Sequence, residues 1–237
     1  MDWQERTRLM LGEEALGSLA AARVAVVGVG GVGSVAAEML ARAGVGHILL
    51  IDSDCVSPSN INRQLPALHS TVGLPKIEVV GARLRDINPE LELDLVGEYL
   101  TEENAASLLQ PRPDVIVDAI DTLSPKVALI RYCLSAGIPL VSSMGAGAKL
   151  DSTAIRIADI SQTRECPLAH MLRKRLHKMG ITTGFDAVFS IEKPRREAVA
   201  LEESRNKKSQ VGTVPYMPAA FGLACAQAAI ARISGIQ

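Results

Sequence analysis

The stretch from Val26 to Asp54, VVGVGGVGSVAAEMLARAGVGHILLIDSD, constrains the fold more than any other part of the chain. An apolar run (22–28) leads into Gly28-Val29-Gly30-Gly31-Val32-Gly33. Helical spacing follows over 31–44, and a second apolar run (47–52) ends on Asp52. Short, near-continuous apolar runs are the mark of strands buried on both faces. Glycines at a strand-to-helix turn let the backbone approach a phosphate closely, and the helix start offers unpaired N–H groups and a positive dipole end. A carboxylate at the end of the second strand can accept hydrogen bonds from ribose hydroxyls. The stretch therefore predicts an adenine-nucleotide site built on Gly28, Gly30, Gly31, Gly33 and Asp52. By itself it does not choose between a nicotinamide dinucleotide and ATP.

The rest of the chain extends the same alternation. An amphipathic helix is expected over 7–20. Helices are expected over 76–87, 101–109 and 124–137, and strands over 91–100, 114–121 and 138–145. Thr101 and Asn104 form a weak capping box, and the helix at 124 has Pro near its start and Gly at its end. Strand and helix in alternation imply a parallel sheet with right-handed crossovers. Beyond Gly147 the pattern changes. Strands over 152–160 and 186–193 flank a helix over 166–180, and the first reads as antiparallel. The polar segment 194–215 reads as a mobile loop or lid. The expected fold is α/β: a Rossmann-like, mostly parallel sheet flanked by helices and extended by antiparallel strands in the C-terminal third. Without a repeat or a linker, residues 1–237 are expected to form a single domain.

Composition narrows the function classes. Aromatic residues make up 3% of the chain, so the core is aliphatic and a base-stacking platform for single strands is not expected. The 25 basic and 26 acidic residues nearly cancel, so attraction of the whole protein to nucleic acid is not implied, although a local patch remains open. Cys55, Cys133, Cys166 and Cys225 form no Cys-x-x-Cys pair, which excludes a zinc site of that spacing. Scattered thiols and the absence of an apolar secretory core at the start point to a reduced, cytoplasmic setting. The apolar segment 217–235 is barely long enough to span a bilayer and is expected to be a buried core helix, so no membrane is called for.

The residues after Asp52 separate the nucleotides. Asp54, Asn60, Arg63 and Gln64 lie in a polar run, and Lys76 follows Gly73-Leu74-Pro75 at the start of a helix. A dinucleotide site does not need two fixed cations over its pyrophosphate. A triphosphate whose pyrophosphate leaves does, because negative charge moves onto the leaving oxygens.

GxGGxG, DxDxVxxSNxxRQ and GxPK, in this order, resemble the ubiquitin-activating-enzyme superfamily, whose bacterial members include the adenylyltransferases of the thiamine and molybdopterin sulfur carriers. The resemblance runs from about Arg6 to Gly235. It implies binding of ATP and Mg2+ and adenylation of a carboxylate. It places Gly31 at the phosphates, Asp52 on the ribose, Asn60, Arg63 and Gln64 around the triphosphate, Lys76 on the phosphates, and Asp121, closing the strand 114–121, on the magnesium. Arg6 resembles an arginine that members insert into a partner's active site, which implies a homodimer.

Further segments are similar to one branch of that superfamily, the tRNA threonylcarbamoyladenosine dehydratases: RxxLMLGEEAL, SNINRQLPAL, VDAIDTLSPKVALIRYC, SSMGAGAKLD, ADISQTRECPLA and MLRKRLHKMG. Asp121-Thr122 in place of Asp-Asn agrees with that branch. The resemblance implies ATP-dependent cyclisation of a modified adenosine beside the anticodon of a tRNA substrate. The carboxylate is adenylated, and the ring then closes within the molecule, so no enzyme nucleophile is needed. Arg173, Lys174, Arg175 and Lys178, with His177 among them, would meet RNA phosphates, helped by Arg195, Arg196, Arg205, Lys207 and Lys208. Ser142 to Gly145 would shape the acceptor pocket. Cys166, at a helix start, has a structural role as its stronger reading. Three alternatives stand beside this one. The first is an adenylyltransferase acting on the C-terminal glycine of a sulfur carrier, the second an NAD-dependent oxidoreductase, and the third a silent scaffold docking a sulfur-transfer protein.

Overall fold

In the computed structural model, which describes residues 3–201 and 209–236, one seven-stranded sheet organises the chain. Its strands are β1 (Arg23–Val27), β2 (His47–Ile51), β3 (Glu92–Val96), β4 (Val115–Asp118), β5 (Leu140–Ser143), β6 (Ile155–Asp159) and β7 (Asp186–Ser190). The order across the sheet is β3-β2-β1-β4-β5-β7-β6. All neighbours run parallel except β6, which pairs antiparallel with β7 from Ile155 opposite Ser190 to Asp159 opposite Asp186. The chain winds outward from β1 to β3, returns, and winds the other way from β4. The two strands at the reversal, β1 and β4, are neighbours, and their carboxyl ends open a crevice, the usual ligand position in such sheets.

Helices α1 (Glu5–Ala21), α2 (Gly33–Ala43), α3 (Lys76–Ile87), α4 (Ala105–Leu108), α5 (Leu123–Ala136), α6 (Pro167–His177) and α7 (Tyr216–Ser234) cover the two faces. The period of two along β1 sends Val24 and Val26 into one core with Leu40, Met217 and Phe221. Ala25 and Val27 enter the other with Leu129, Ile130 and Leu172. Aliphatic side chains fill both, as the low aromatic content requires. Among the described residues, helix α7 is the one helix long and apolar enough to cross a bilayer. Here it lies against α2 and the sheet, with Met217, Phe221, Cys225 and Ala229 fully buried. It is the core helix expected.

Several expected elements differ in detail. The helix expected over 7–20 begins at Glu5 and breaks at Gly12, whose φ of 82° is not helical. Of the strands beyond Gly147, only β6 is antiparallel within the main sheet. Within the described part of 194–215, β8 (Val199–Leu201) pairs antiparallel with β9 (Ser209–Val211), where a loop was expected. This ribbon is fastened to the body, with Ala148 N–H donating to Gly212 O at 2.8 Å and Arg195 N–H to Ala148 O at 2.9 Å. Its strands are three residues each within an otherwise polar segment, too short for a period-two pattern to mark them. Arg205, Lys207 and Lys208 lie outside the described residues. The Thr101–Asn104 box forms in the turn before α4: Thr101 N–H donates to Asn104 Oδ1 at 2.7 Å, and Asn104 N–H to Thr101 Oγ1 at 3.4 Å.

Candidate active site

A cleft of about 670 Å³ occupies the crevice, lined by the glycine turn, the segment 51–64, Lys76, Glu98 to Leu100, Ala119 to Thr122 and Ser143 to Gly147. The turn is built for close approach. Gly28 has φ of 87° and donates its N–H to Ile51 O at 2.8 Å, which ties the turn to β2. A Cβ on Gly33 would sit 1.8 Å from Gly28 O, so strand end and helix start touch backbone to backbone. The N-terminus of α2 has no side-chain cap, and Ser34 folds back onto Gly30 O at 2.6 Å. The helix start is thus presented to the cleft, the arrangement that favours an anionic group.

Asp52 closes β2 as expected. Its carboxylate accepts Val29 N–H at 2.7 Å and Asp54 N–H at 2.8 Å, so it braces the glycine turn as well as facing the cleft. Burial pushes its carboxyl above the ordinary aspartate range, opposed by the charge of Lys76 and by the two N–H bonds. Residues 54–56 run against 73–76: Val56 N–H donates to Leu74 O, Gly73 N–H to Val56 O and Lys76 N–H to Asp54 O. That pairing brings Lys76, at the first position of α3, under the cleft. Its Nζ is 2.7 Å from Asp54 Oδ2, with the lysine side chain 7% exposed and the aspartate 68%.

The polar run after Asp54 winds through a short 3-10 turn at Pro58–Asn60. Asn60 is buried, and its Oδ1 accepts Ser57 N–H at 3.2 Å. Arg63 donates to Ser59 O at 2.8 Å and to Asn62 Oδ1 at 2.9 Å, both on its own turn. Gln64 Oε1 is buried without a hydrogen-bond partner beside Gly30. A Cβ on Gly31 would meet Pro218 Cβ at 2.9 Å and Arg63 O at 3.0 Å, so the cation loop, the start of α2 and α7 converge on that glycine.

Asp121 faces the cleft from the opposite wall, but it does not close a strand. β4 ends at Asp118, and Asp121 lies in the connection before α5, exposed at the mouth. The turn forms because Asp118 points inward to partners of its own. Ser143 to Gly147 complete this wall, with Thr213 at the exit of the ribbon, whose carbonyl accepts Asn62 Nδ2 at 3.2 Å. Cys166 Sγ accepts Gly145 N–H at 3.4 Å and Ala169 N–H at 3.5 Å, which makes it the cap of α6 and a tie to the wall, the structural role expected of it. Burial pushes the thiols of Cys133 and Cys225 up to about 12, so neither is a nucleophile near neutrality. Among the described residues, no cluster of three or more His, Cys, Asp or Glu is arranged to hold a metal ion.

Comparison with known proteins decides among the nucleotide-binding families. The model of the ThiF family matches residues 4–237. The chain belongs to the ThiF family. Within it, the chain is 44% identical over 226 residues to the tRNA threonylcarbamoyladenosine dehydratase of Bacillus subtilis, with 92% of this chain and 89% of that protein covered. It is 45% identical over 200 residues to the enzyme of the same name from Escherichia coli, covering 80% and 75%. A solved structure of the E. coli enzyme, TcdA, in complex with ATP superposes with a TM-score of 0.90 at 39% identity, covering 98% of this chain and 95% of that one. The resemblance read from the sequence is borne out, and the oxidoreductase alternative falls.

Two groups of expected ThiF-family site residues lie away from the cleft lining. Arg6 is exposed on the first turns of α1. The basic residues Arg173, Lys174 and Arg175 belong to α6, and Lys178 caps it. They do not form one uniform face. Arg173 is half-buried and binds Thr163 through its carbonyl (2.7 Å) and hydroxyl oxygens. Lys174, Arg175 and Lys178 are exposed, and Arg175 reaches Ser124 Oγ at 3.1 Å, three residues beyond Asp121. Sequence reasoning missed the fully buried Asp118–Lys126 pair beneath Asp121, 2.8 Å apart. An acid inside an otherwise apolar run was the available signal, since a buried charge demands a partner.

Proposed function

We propose that this ThiF-family chain is an ATP-dependent tRNA threonylcarbamoyladenosine dehydratase, with residues 1–237 forming one ATP-binding adenylation domain. One observation carries the reading. A single cleft gathers a glycine turn, a ribose-facing acid (Asp52), two cations (Arg63 and Lys76) and an acid on the far wall (Asp121), in a chain similar to these dehydratases over nearly its whole length. The residues fit ATP: Gln64 Oε1 is a buried acceptor awaiting a donor, and Gly31, where a Cβ would press on Pro218 and Arg63 O, leaves the start of α2 bare toward the cleft. They fit Mg2+ in the manner usual for nucleotide enzymes, where one or two carboxylates suffice because the phosphates supply other oxygens.

On this reading Asp52 orients the ribose and the start of α2 receives phosphate. Asp54, Asn60 and Gln64 shape the loop, and Arg63 and Lys76 stabilise the charge that develops on departing pyrophosphate. The threonyl carboxylate of the modified tRNA attacks the α-phosphorus. The carbamoyl group of the same nucleoside then closes on the activated carbonyl, releasing AMP. Asp121 would hold the magnesium, which when bound neutralises phosphate charge. Lys174, Arg175 and Lys178 would position tRNA phosphates. The chain acts as a homodimer in this reading, with Arg6 reaching the partner's site. Leu9 and Met10, 83% and 82% exposed on α1 near Arg6, are apolar side chains that such an interface would cover.

Incubating the protein with ATP and tRNA that carries the threonylcarbamoyl modification, then measuring nucleosides by mass spectrometry, tests the activity. A product lighter by one water is expected. Unchanged nucleoside, with pyrophosphate exchange appearing only on addition of a sulfur carrier, would move the assignment to carrier adenylation.

A further inference from the structure

The connection that carries Asp121 is held from beneath by groups that no water reaches. Asp118 ends β4 and Lys126 lies in the first turns of α5, and both side chains are 0% exposed. Lys126 Nζ is 2.8 Å from Asp118 Oδ2 and donates to Ile120 O at 2.9 Å. Asp118 Oδ1 accepts Ile120 N–H at 3.1 Å, and Oδ2 also accepts Ser142 Oγ from β5 at 2.7 Å. Ala119 N–H donates to Val27 O at 2.8 Å, which seats the connection against the glycine turn. Both peptide groups flanking Ile120 are therefore fixed, one by the acid and the other by the ammonium. The second of these is the unit whose nitrogen belongs to Asp121, and because that unit is planar, Lys126 sets the direction in which Asp121 leaves it.

An apolar pair of the same volume could fill this interior as stably, since desolvation offsets much of the attraction in a buried ion pair. What an apolar pair cannot do is hold the Ile120 carbonyl. We propose that Asp118 and Lys126 are positioning residues: by clamping the two peptide groups around Ile120 they aim the Asp121 carboxylate at the metal-bearing polyphosphate. The proposal rests on the assignment of Asp121 to the metal.

The test uses the full chain with Asp118→Asn and Lys126→Met combined. This leaves no unpaired charge: the amide oxygen still accepts Ile120 N–H, and the amide N–H2 can donate to the Ser142 hydroxyl oxygen in place of the bond that Ser142 gave Asp118. Titration calorimetry is run with ATP plus Mg2+, and separately with AMP plus a chelator. Affinity for ATP with Mg2+ is expected to fall at least fivefold while AMP affinity stays within twofold, and amide exchange over 119–122 to accelerate. No change in either affinity overturns the proposal. An equal fall in both also overturns it, because that reports a general loss of structure. If the double variant does not fold, Asp118→Asn combined with Lys126→Leu, likewise without an unpaired charge, carries the test, and a shift of less than twofold in the ratio of the two affinities overturns the proposal. Asp121→Asn is the reference and should weaken ATP with Mg2+ at least fivefold. If it does not, the metal assignment fails and this proposal with it. If it does while the double variant binds like wild type, the positioning role alone fails.

Discussion

Gly33→Ala is the substitution whose outcome the geometry sets most tightly. The added Cβ would lie 1.8 Å from Gly28 O, 2.9 Å from its carbon and 3.1 Å from Ala119 Cβ. Carbon and oxygen approach no closer than about 3.3 Å without repulsion, so the end of β1 and the start of α2 must separate by roughly 1.5 Å. The obstacle is backbone and cannot rotate away. Moving it strains the Gly28 bond to Ile51 O and the Ser34 bond to Gly30 O. Overpacking of this kind costs up to about 3 kcal/mol, near ~6–12 °C in Tm for a chain of this size. Saturating ATP should raise the wild-type Tm by ~5–10 °C, from about 2.7 kcal/mol at a hundredfold excess over Kd. Gly33→Ala should lack that rise. Gly31→Ala is the internal comparison: its contacts at 2.9 and 3.0 Å include a Pro218 side chain, so its Tm should fall less while ATP affinity still drops. Thermal melts with and without ATP read both effects. A Gly33→Ala protein with wild-type Tm and a full ATP-induced rise would refute the close packing of turn and helix, and with it the phosphate site.

The remaining predictions concern charge. Arg63→Ala and Lys76→Ala should each lower kcat/KM for ATP at least tenfold, about 1.4 kcal/mol of lost transition-state stabilisation, with melts close to wild type; full activity removes their assigned roles. Lys174→Glu, Arg175→Glu and Lys178→Glu should weaken tRNA binding and flatten its salt dependence while leaving ATP affinity alone, whereas Arg173→Glu should chiefly lower Tm through its lost bonds to Thr163. Equal effects of all four on tRNA would return Arg173 to the RNA surface. Because burial raises the Asp52 carboxyl, its proton returns at a higher pH than in an ordinary aspartate, and in the proposed role it is the ionised form that accepts from the ribose. AMP affinity should therefore fall as pH drops through that raised value, and Asp52→Asn should abolish the step. For stability the sign is opposite: a raised acid contributes most below its unfolded value and loses that contribution as pH rises through the folded one.

Much of this site was legible because its residues lie close along the chain. Gly28 to Gly33, Asp52 to Gln64 and Lys76 are carried by one βαβ unit and its return, so spacing placed the glycine turn beside Asp52, and the family resemblance brought Asn60, Arg63, Gln64 and Lys76 to the same crevice. Asp121 was legible through the rule that strand ends face the crevice, though the strand stops three residues earlier because Asp118 turns inward. Pairings across distant elements were not legible. Periodicity marks which faces are apolar but not which buried polar atoms meet, so the Lys126 clamp and the bond from Asn62 to Thr213 O stayed hidden. The ribbon at β8 and β9 was hidden for another reason: its strands are three residues each, too short for a period-two alternation to show.

Two lysines stand under the same cleft, and the burial of their partners separates their tasks. Lys76 Nζ is nearly buried, but Asp54 is 68% exposed. An incoming phosphate can replace that carboxylate and return it to water at little cost, since an exposed partner gives up a weak pair. Lys126 is paired with an acid that is 0% exposed, and releasing Asp118 would strand an uncompensated charge in the interior. Lys126 therefore keeps its partner throughout the reaction cycle and works only through the loop it holds, whereas Lys76 is free to change anions. Exchanging their environments would exchange their roles. Asp54→Asn should leave Lys76 able to receive phosphate, with ATP affinity within a few-fold of wild type, while Asp118→Ala should cost several kcal/mol of folding stability. Equal destabilisation by the two substitutions, measured by denaturant unfolding, would show that burial of the partner does not distinguish them.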